Sequence, residues 1–168
     1  MRESLKVLLQ VREEGILADF AIGGAIAASF YTPAVTTEDL DIFAFPKPSA
    51  SGLLVLTPLY ERLQQLGGRI ESEYVVIGKW PVQILPAYTP LVEEAVANAV
   101  DQHFEDLIVK VVSADYLCAI ALQTGRAKDY MRIHMLIESG HVSSDRLAAL
   151  VNAFALTQRW ETYVKRYA

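Results

Sequence analysis

Apolar residues near the N-terminus recur at helical spacing. Leu5, Leu8 and Val11 lie three residues apart, so they fall on one face of a helix. This pattern predicts a helix from about Glu3 to Glu14, and Gly15 is the residue expected to end it.

Short apolar runs bounded by glycine and proline predict a β-sheet in the first two thirds of the chain. Strands are predicted over ILADFAI, DLDIFAF and LIVKVV, with a hairpin of two strands over 69–86 that turns at Gly78 and Lys79. Helices are predicted between them, at 25–31, 53–66 and 91–98. Because helices separate some strands and a tight turn separates others, the sheet should be mixed.

From Ser113 onward the pattern is helical. A helix capped by Ser113 extends to Gln123, the segment GRAKD interrupts it, and a second helix spans 129–139. A last helix is predicted to begin near Asp145. The fold class is therefore α/β (α+β), a small mixed sheet with flanking helices over 1–112, and a C-terminal helical segment over 113–168 packed on that core.

Composition restricts the class of protein. The chain has 168 residues, 52% of them hydrophobic, which is enough to bury a core in one compact domain. The longest uncharged apolar run, 49–60, falls short of the roughly 20 residues of a membrane span. We expect a cytoplasmic protein without a membrane partner, with Cys118 as a buried thiol. A net charge of −5 gives no general attraction for nucleic acid.

Two acids stand one residue apart in a predicted strand. Residues i and i+2 of a strand point to the same side, about 6.6–6.8 Å apart, so Asp39 and Asp41 would share one face. Paired carboxylate oxygens suit Mg²⁺, which binds one or two carboxylates together with phosphates and water. The alternative is a helical capping box of Thr36 and Asp39, but that helix would meet Pro46 within two turns.

A pair of glycines, Gly23 and Gly24, follows the first predicted strand and opens a helix. Backbone amides without side chains, together with the helix dipole, can receive a phosphate there. The alternative is a tight turn that packs helix against strand. The glycines and the acids together indicate a site that holds phosphate on one element and metal on the next.

These motifs carry a family resemblance. IGGAIAASF followed by TTEDLDIF resembles the minimal nucleotidyltransferases of the polymerase-β superfamily. VQILPAYTPLVEEAV and IVKVVSADYLCAIALQTGRAKD are similar to the subgroup with abortive-infection and toxin–antitoxin nucleotidyltransferases. The resemblance spans Ile16 to Glu138 and implies that Gly23 and Gly24 face the β- and γ-phosphates, while Asp39 and Asp41 bind Mg²⁺, or Mn²⁺ in its place.

The sequence departs from the family pattern at three positions. Gln83 stands where relatives have a third acid, and a neutral amide would hold a second Mg²⁺ less well. Val35 and Ala121 stand where many relatives have basic residues. Either another acid contributes to the metal site, or the protein is catalytically weak or inert. Glu71 and Glu73 are the candidates for such an acid. The alternative for these two residues is a solvated strand face.

The segment GRAKD suggests an anion. Arg126 and Lys128 stand at the start of a predicted helix, where the dipole disfavours cations, so a nearby triphosphate would explain them. The alternative is a solvated, self-paired helix start, in which Asp129 and Arg132 pair at i,i+3 spacing and offset part of the dipole.

The sequence therefore predicts a Mg²⁺-dependent nucleotidyltransferase that binds a nucleoside triphosphate and modifies a hydroxyl of RNA, a small molecule or a protein. Thr37 would add a hydroxyl contact, and Arg126 and Lys128 would bind phosphate. The alternative is a catalytically degenerate binding module of the same fold, acting with a cognate antitoxin or another partner in a toxin–antitoxin or defence pair. A dinucleotide-binding unit is a third interpretation, and the missing third glycine counts against it.

Overall fold

The computed structural model of the chain describes residues 1–33, 37–46 and 56–167. Val35, Thr36 and the first three residues of the helix predicted over 53–66 lie outside these ranges. The predictions for these residues therefore fall outside the part of the chain that the structure describes.

Helices and strands alternate through the first part of the chain, and helices alone make up the last part. The helices are α1 (Arg2–Glu13), α2 (Gly24–Ser29), α3 (Thr57–Gln65), α4 (Pro90–Ala97), α5 (Ala114–Thr124), α6 (Ala127–Glu138), α7 (Ser144–Ala153) and α8 (Thr157–Tyr167). The strands are β1 (Leu17–Ile22), β2 (Leu40–Pro46), β3 (Arg69–Glu71), β4 (Tyr74–Ile77), β5 (Trp80–Pro86), β6 (Val100–Phe104) and β7 (Leu107–Val111).

The strands form one sheet in the order β3-β4-β5-β2-β1-β7-β6. Strand β2 runs antiparallel to β1 and parallel to β5, while β1 runs parallel to β7. The mixed sheet predicted from the alternation of helices and turns is therefore confirmed. Leu40 and Ile42 of β2 are fully buried, which leaves the alternate positions to face the other way.

Three local predictions were wrong. The run 69–86 forms three strands, because a turn at Ser72, whose φ is +57°, separates β3 from β4. The predicted turn at Gly78 and Lys79 is present between β4 and β5. Strand β6 was missed because its sequence, VDQHF, is mostly polar, as an exposed edge strand allows. The last helix is divided in two, since Ala155 has a φ of +54°.

The C-terminal helices pack around α5. Eight of the eleven residues of α5 are buried. They include Cys118, as predicted for its thiol, and burial raises the pKa of that thiol. Gly125, with a φ of +71°, ends α5 and lets the chain turn into α6. Helices α6, α7 and α8 each contact α5, so α5 fixes the position of α6 relative to the sheet. The division of the chain at residue 112 remains a prediction.

No helix within the described ranges has both the length and the apolar character that crossing a membrane requires.

The turn from β1 into α2 is packed tightly against β2. The ring of Phe43 lies where a Cβ atom on Gly23 would be placed, and the Gly23 amide donates to the carbonyl oxygen of Asp41 at 2.9 Å. Gly23 has a φ of −114°, which any residue can adopt, so the requirement for glycine there is steric.

Gly23→Ala should therefore lower the free energy of unfolding by about 1–3 kcal/mol, the usual cost of overpacking a close contact. Urea denaturation measures the change. In a double-mutant cycle, Phe43→Leu should remove part of the effect, because it makes room for the added methyl. An unchanged unfolding midpoint for Gly23→Ala would contradict this account of the turn.

Candidate active site

A cavity of about 690 Å³ lies between the sheet and helices α4, α5 and α6. Its walls combine charged and polar side chains with an apolar part. The polar side chains include those of Thr37, Asp39, Asp41, Tyr74, Gln83, Arg126, Lys128, Asp129 and Arg132, and the apolar part includes Phe43, Leu85, Val92, Leu117 and Ile120. The volume is typical of a small-molecule site.

Asp39 and Asp41 both line this cavity. Asp39 lies immediately before β2 and not within it, which corrects the predicted strand start by one residue. The Thr37 hydroxyl donates to Oδ1 of Asp39 at 2.5 Å, so Thr37 orients that carboxylate. Within the described ranges, no lysine or arginine nitrogen lies within 4.0 Å of either carboxylate.

The electrostatic environment of Asp41 opposes its ionisation. Burial raises the pKa of Asp41, and the negative charge of Asp39 raises it further. The positive charges of Arg132, Lys128 and Arg126 lower it in part. The ionised pair therefore costs free energy unless a cation binds between the two carboxylates.

Gly24 makes room for the Asp41 carboxylate. A Cβ atom at Gly24 would overlap Oδ2 of Asp41, and the φ of Gly24, +58°, is unfavourable for other residues. Gly24 lines the cavity, whereas Gly23 is covered by Phe43 and its amide is bonded to Asp41. The structure thus brings only the second glycine of the predicted pair to the cavity wall.

Gln83 lies beside Asp41 on the neighbouring strand. The parallel register of β2 and β5 places Asp41 opposite Gln83, and the antiparallel register of β4 and β5 places Tyr74 on the other side of Gln83. All three line the cavity. Gln83 therefore lies next to the acid pair and presents a side-chain amide there. This is the position at which the resemblance led us to expect a third acid.

The alternative acids, Glu71 and Glu73, lie outside the main cavity. They line a separate, more open depression together with Glu38, and Asp39 lies at the border of both spaces. Glu71 forms an exposed ion pair with Arg69 at 3.3 Å. This arrangement favours the solvated strand face over a third ligand.

The donor set fits one kind of metal. No group of three or more histidine, cysteine, aspartate or glutamate side chains that could hold a metal occurs in the described part of the chain. Two carboxylates and an amide oxygen remain, and all three side chains line the same cavity. Mg²⁺ binds in this way, since it takes one or two carboxylates and completes its shell with substrate phosphates and water.

The start of α6 places cations opposite the acid pair. Arg126 is held by Asp129, with Nε to Oδ2 at 2.7 Å and Nη2 to Oδ1 at 3.2 Å, and this bond raises the pKa of Arg126. Asp129 is only 1% exposed. The helix start is therefore self-paired: Asp129 lies 3.8 Å from Arg132, the partner predicted for it, and is bound more closely by Arg126. Lys128 lines the cavity, and no ion pair of its ammonium is present within the described ranges.

Two further residues of the cavity wall were not predicted to be in the site. Arg132 was interpreted only as a partner of Asp129, although its i,i+4 spacing from Lys128 places both on one helix face. Tyr88 is 75% exposed and lies in the cavity wall after β5. An exposed aromatic in a loop has no periodic signal, so only the structure reveals its position.

No family model matches the chain, and no curated protein matches it significantly. Solved structures do match. The solution structure of the antibiotic-resistance factor ANT(2'')-Ia is 17% identical, with a TM-score of 0.53, and the match covers 99% of this chain and 100% of that one. The crystal structure of ANT(2'')-Ia with adenylyl-2''-tobramycin is 18% identical, with a TM-score of 0.56 and coverage of 98% and 97%.

A third match is an antigenic nucleotidyltransferase-like protein from Paracoccidioides brasiliensis. It is 13% identical, with a TM-score of 0.59, over 97% of this chain and 91% of that one. The chain has the nucleotidyltransferase fold. The predicted fold is thereby confirmed, while membership of the toxin–antitoxin subgroup remains a prediction.

Asp41→Asn should raise the melting temperature at pH 7, because the amide cannot be ionised and the repulsion from Asp39 disappears. The expected gain is about 2–4 °C for each kcal/mol relieved. Because the pKa of Asp41 is raised in the folded state, the wild type takes up a proton earlier than the unfolded chain as pH falls. The wild type should therefore approach the variant in stability as the pH falls from 7 to about 4, the ordinary pKa of an aspartate.

Thermal denaturation at both pH values measures this difference. Asp101→Asn, at an exposed position on β6, is the matched control and should give no such pH-dependent gap. A wild type that is more stable than Asp41→Asn at pH 7 would show that the carboxylates do not destabilise each other.

Proposed function

We propose that the protein is a nucleotidyltransferase that uses a nucleoside triphosphate as donor and a hydroxyl group as acceptor. The observation that supports this most strongly is the convergence of Asp39 and Asp41 on one cavity, opposite the cations of α6. The nucleotidyltransferase fold of the chain is consistent with the same activity.

The reaction forms one phosphorus–oxygen bond and breaks another. The acceptor oxygen attacks the α-phosphorus, the bond from that phosphorus to the bridging oxygen breaks, and pyrophosphate leaves with the electron pair. The hydroxyl proton passes to solvent. Negative charge grows on the departing pyrophosphate, so cations on that side lower the barrier.

Each wall of the cavity has a role in this proposal. Asp39 and Asp41 would hold Mg²⁺, or Mn²⁺ in its place, and Thr37 orients the first of these carboxylates. The bound ion would neutralise phosphate charge and align the two reacting oxygens. Gly24 leaves space for the Asp41 carboxylate and brings its backbone to the cavity wall, where it would face the phosphates, and Lys128 supplies positive charge from α6. Arg126 contributes less directly because Asp129 holds its guanidinium.

The charges around the acid pair favour an acceptor other than nucleic acid. Glu38, Glu71 and Glu73 surround the depression that borders the cavity at Asp39, and exposed carboxylates repel an RNA backbone. One of the similar structures contains an adenylylated tobramycin, which is a modified small molecule. We therefore favour a small-molecule hydroxyl over RNA or a protein side chain as the acceptor.

A second candidate function is a nucleotide-binding module without turnover. Gln83 favours it, because the strand position beside Asp41 contributes no charge to a metal. A cognate antitoxin or defence partner and a cytoplasmic location remain predictions.

Asp39→Asn should lower transfer by about 10²–10³-fold, the range for removing one electrostatic contact to a transition state. Purified protein would be incubated with α-labelled nucleoside triphosphates, Mg²⁺ or Mn²⁺, and either total RNA or a cell-extract pool of small molecules. Asp101→Asn is the control and should keep the wild-type rate. Label transfer that survives in Asp39→Asn would remove the proposed role of the acid pair.

Gln83→Asp should raise the affinity for Mn²⁺ by about tenfold or more, because a third carboxylate would then face the ion. Calorimetric titration without nucleotide measures this affinity. Gln64→Asp adds the same charge at an exposed position on α3 and should change nothing. If the affinity of Gln83→Asp equals that of the wild type, Gln83 lies too far from the ion to matter.

A further inference from the structure

Arg132 is an unusually well covered arginine. It lies in the middle of α6, lines the cavity, and has a side chain only 19% exposed. Arginine side chains are seldom covered to this degree unless an anion pairs with them. Its surroundings should therefore contain a strong partner.

The structure gives Arg132 only a weak partner. Its Nη1 lies 3.8 Å from Oδ1 of Asp129, which is beyond hydrogen-bond distance. Asp129 is already occupied, because it accepts from Nε, Nη2 and the backbone amide of Arg126 at 2.7, 3.2 and 3.1 Å. No hydrogen bond from the Arg132 guanidinium is found in the part of the chain that the structure describes. Its donors are thus available to a ligand in the cavity.

The charge of Arg132 acts across the cavity on the acid pair. Among the cations that lower the pKa of Asp41, Arg132 has the largest effect, ahead of Lys128 and Arg126. The influence of Arg126 is further limited by its bond to Asp129. Arg132 is therefore the cation of α6 that acts most strongly on Asp41, and its guanidinium keeps its hydrogen-bond donors available.

We propose that Arg132 binds the pyrophosphate portion of the nucleoside triphosphate, because Asp129 accepts its hydrogen bonds from Arg126 and leaves the Arg132 guanidinium without one. This inference rests on the proposed function. A planar guanidinium can donate two parallel hydrogen bonds to phosphate oxygens, which an ammonium cannot do. The same contact would stabilise the charge that develops on pyrophosphate as it leaves.

The test is calorimetric titration of the full-length protein with three probes in the presence of Mg²⁺: each nucleoside triphosphate, the matching monophosphate, and inorganic pyrophosphate. Arg132→Met should weaken triphosphate and pyrophosphate binding by about 10–100-fold. Monophosphate binding should change by less than about threefold, because it lacks the group that Arg132 contacts. Arg132→Lys should recover part of the loss.

Arg146→Met is the matched control. Arg146 also lies 3.8 Å from a covered aspartate of the tail helices, Asp115, but it does not line the cavity. A merely structural role for Arg132 would lower the melting temperature and weaken all three probes alike. A selective loss of triphosphate and pyrophosphate supports the proposal.

The outcomes separate this inference from the function on which it rests. If the wild type binds neither triphosphate nor pyrophosphate, the proposed function falls and this inference falls with it. If the wild type binds both and Arg132→Met binds them equally well, only the role of Arg132 is overturned. Should Arg132→Met fail to fold, Arg132→Lys decides, because an equal loss for monophosphate and triphosphate would overturn the inference.

Discussion

The repulsion between Asp39 and Asp41 is the constraint around which the rest of the cavity is arranged. Both carboxylates line one cavity, burial and the charge of Asp39 raise the pKa of Asp41, and no cation of the described residues lies within 4.0 Å of them. A fold selected for stability alone would separate or pair these groups. Their persistence is explained if the working state of the protein contains a divalent cation and a polyphosphate.

Neighbouring residues accommodate this pair at close range. Because Gly24 has no side chain, the Asp41 carboxylate can lie against the backbone. The ring of Phe43 packs over Gly23 and holds the turn in place. On the opposite wall, Asp129 interacts unequally with two arginines of α6. It binds Arg126 at hydrogen-bond distance and leaves Arg132 without a hydrogen bond. The cavity thus has a negative wall and a positive wall, separated by the space that a metal-bound triphosphate would fill.

The sequence predicted the features that local patterns encode. The mixed sheet, the turn at Gly78 and the interruption of α5 at Gly125 follow from apolar periodicity and glycine placement. Strand β6 and the break at Ala155 could not be predicted, because a polar edge strand and a left-handed alanine have no periodic signal. Arg132 was interpreted only as a partner of Asp129, since helical spacing gives neighbours on one helix but not the wall that the helix faces. That wall depends on how α5 positions α6 against the sheet.

The central claim is that the acid pair binds metal and triphosphate together. The most direct measurement is the melting temperature of the wild type in EDTA, with Mg²⁺ alone, with a nucleoside triphosphate in EDTA, and with both ligands. Because each ligand neutralises charge for the other, the account predicts a combined shift larger than the sum of the separate shifts. A combined shift equal to that sum, or no shift with any of the four nucleotides, would contradict it.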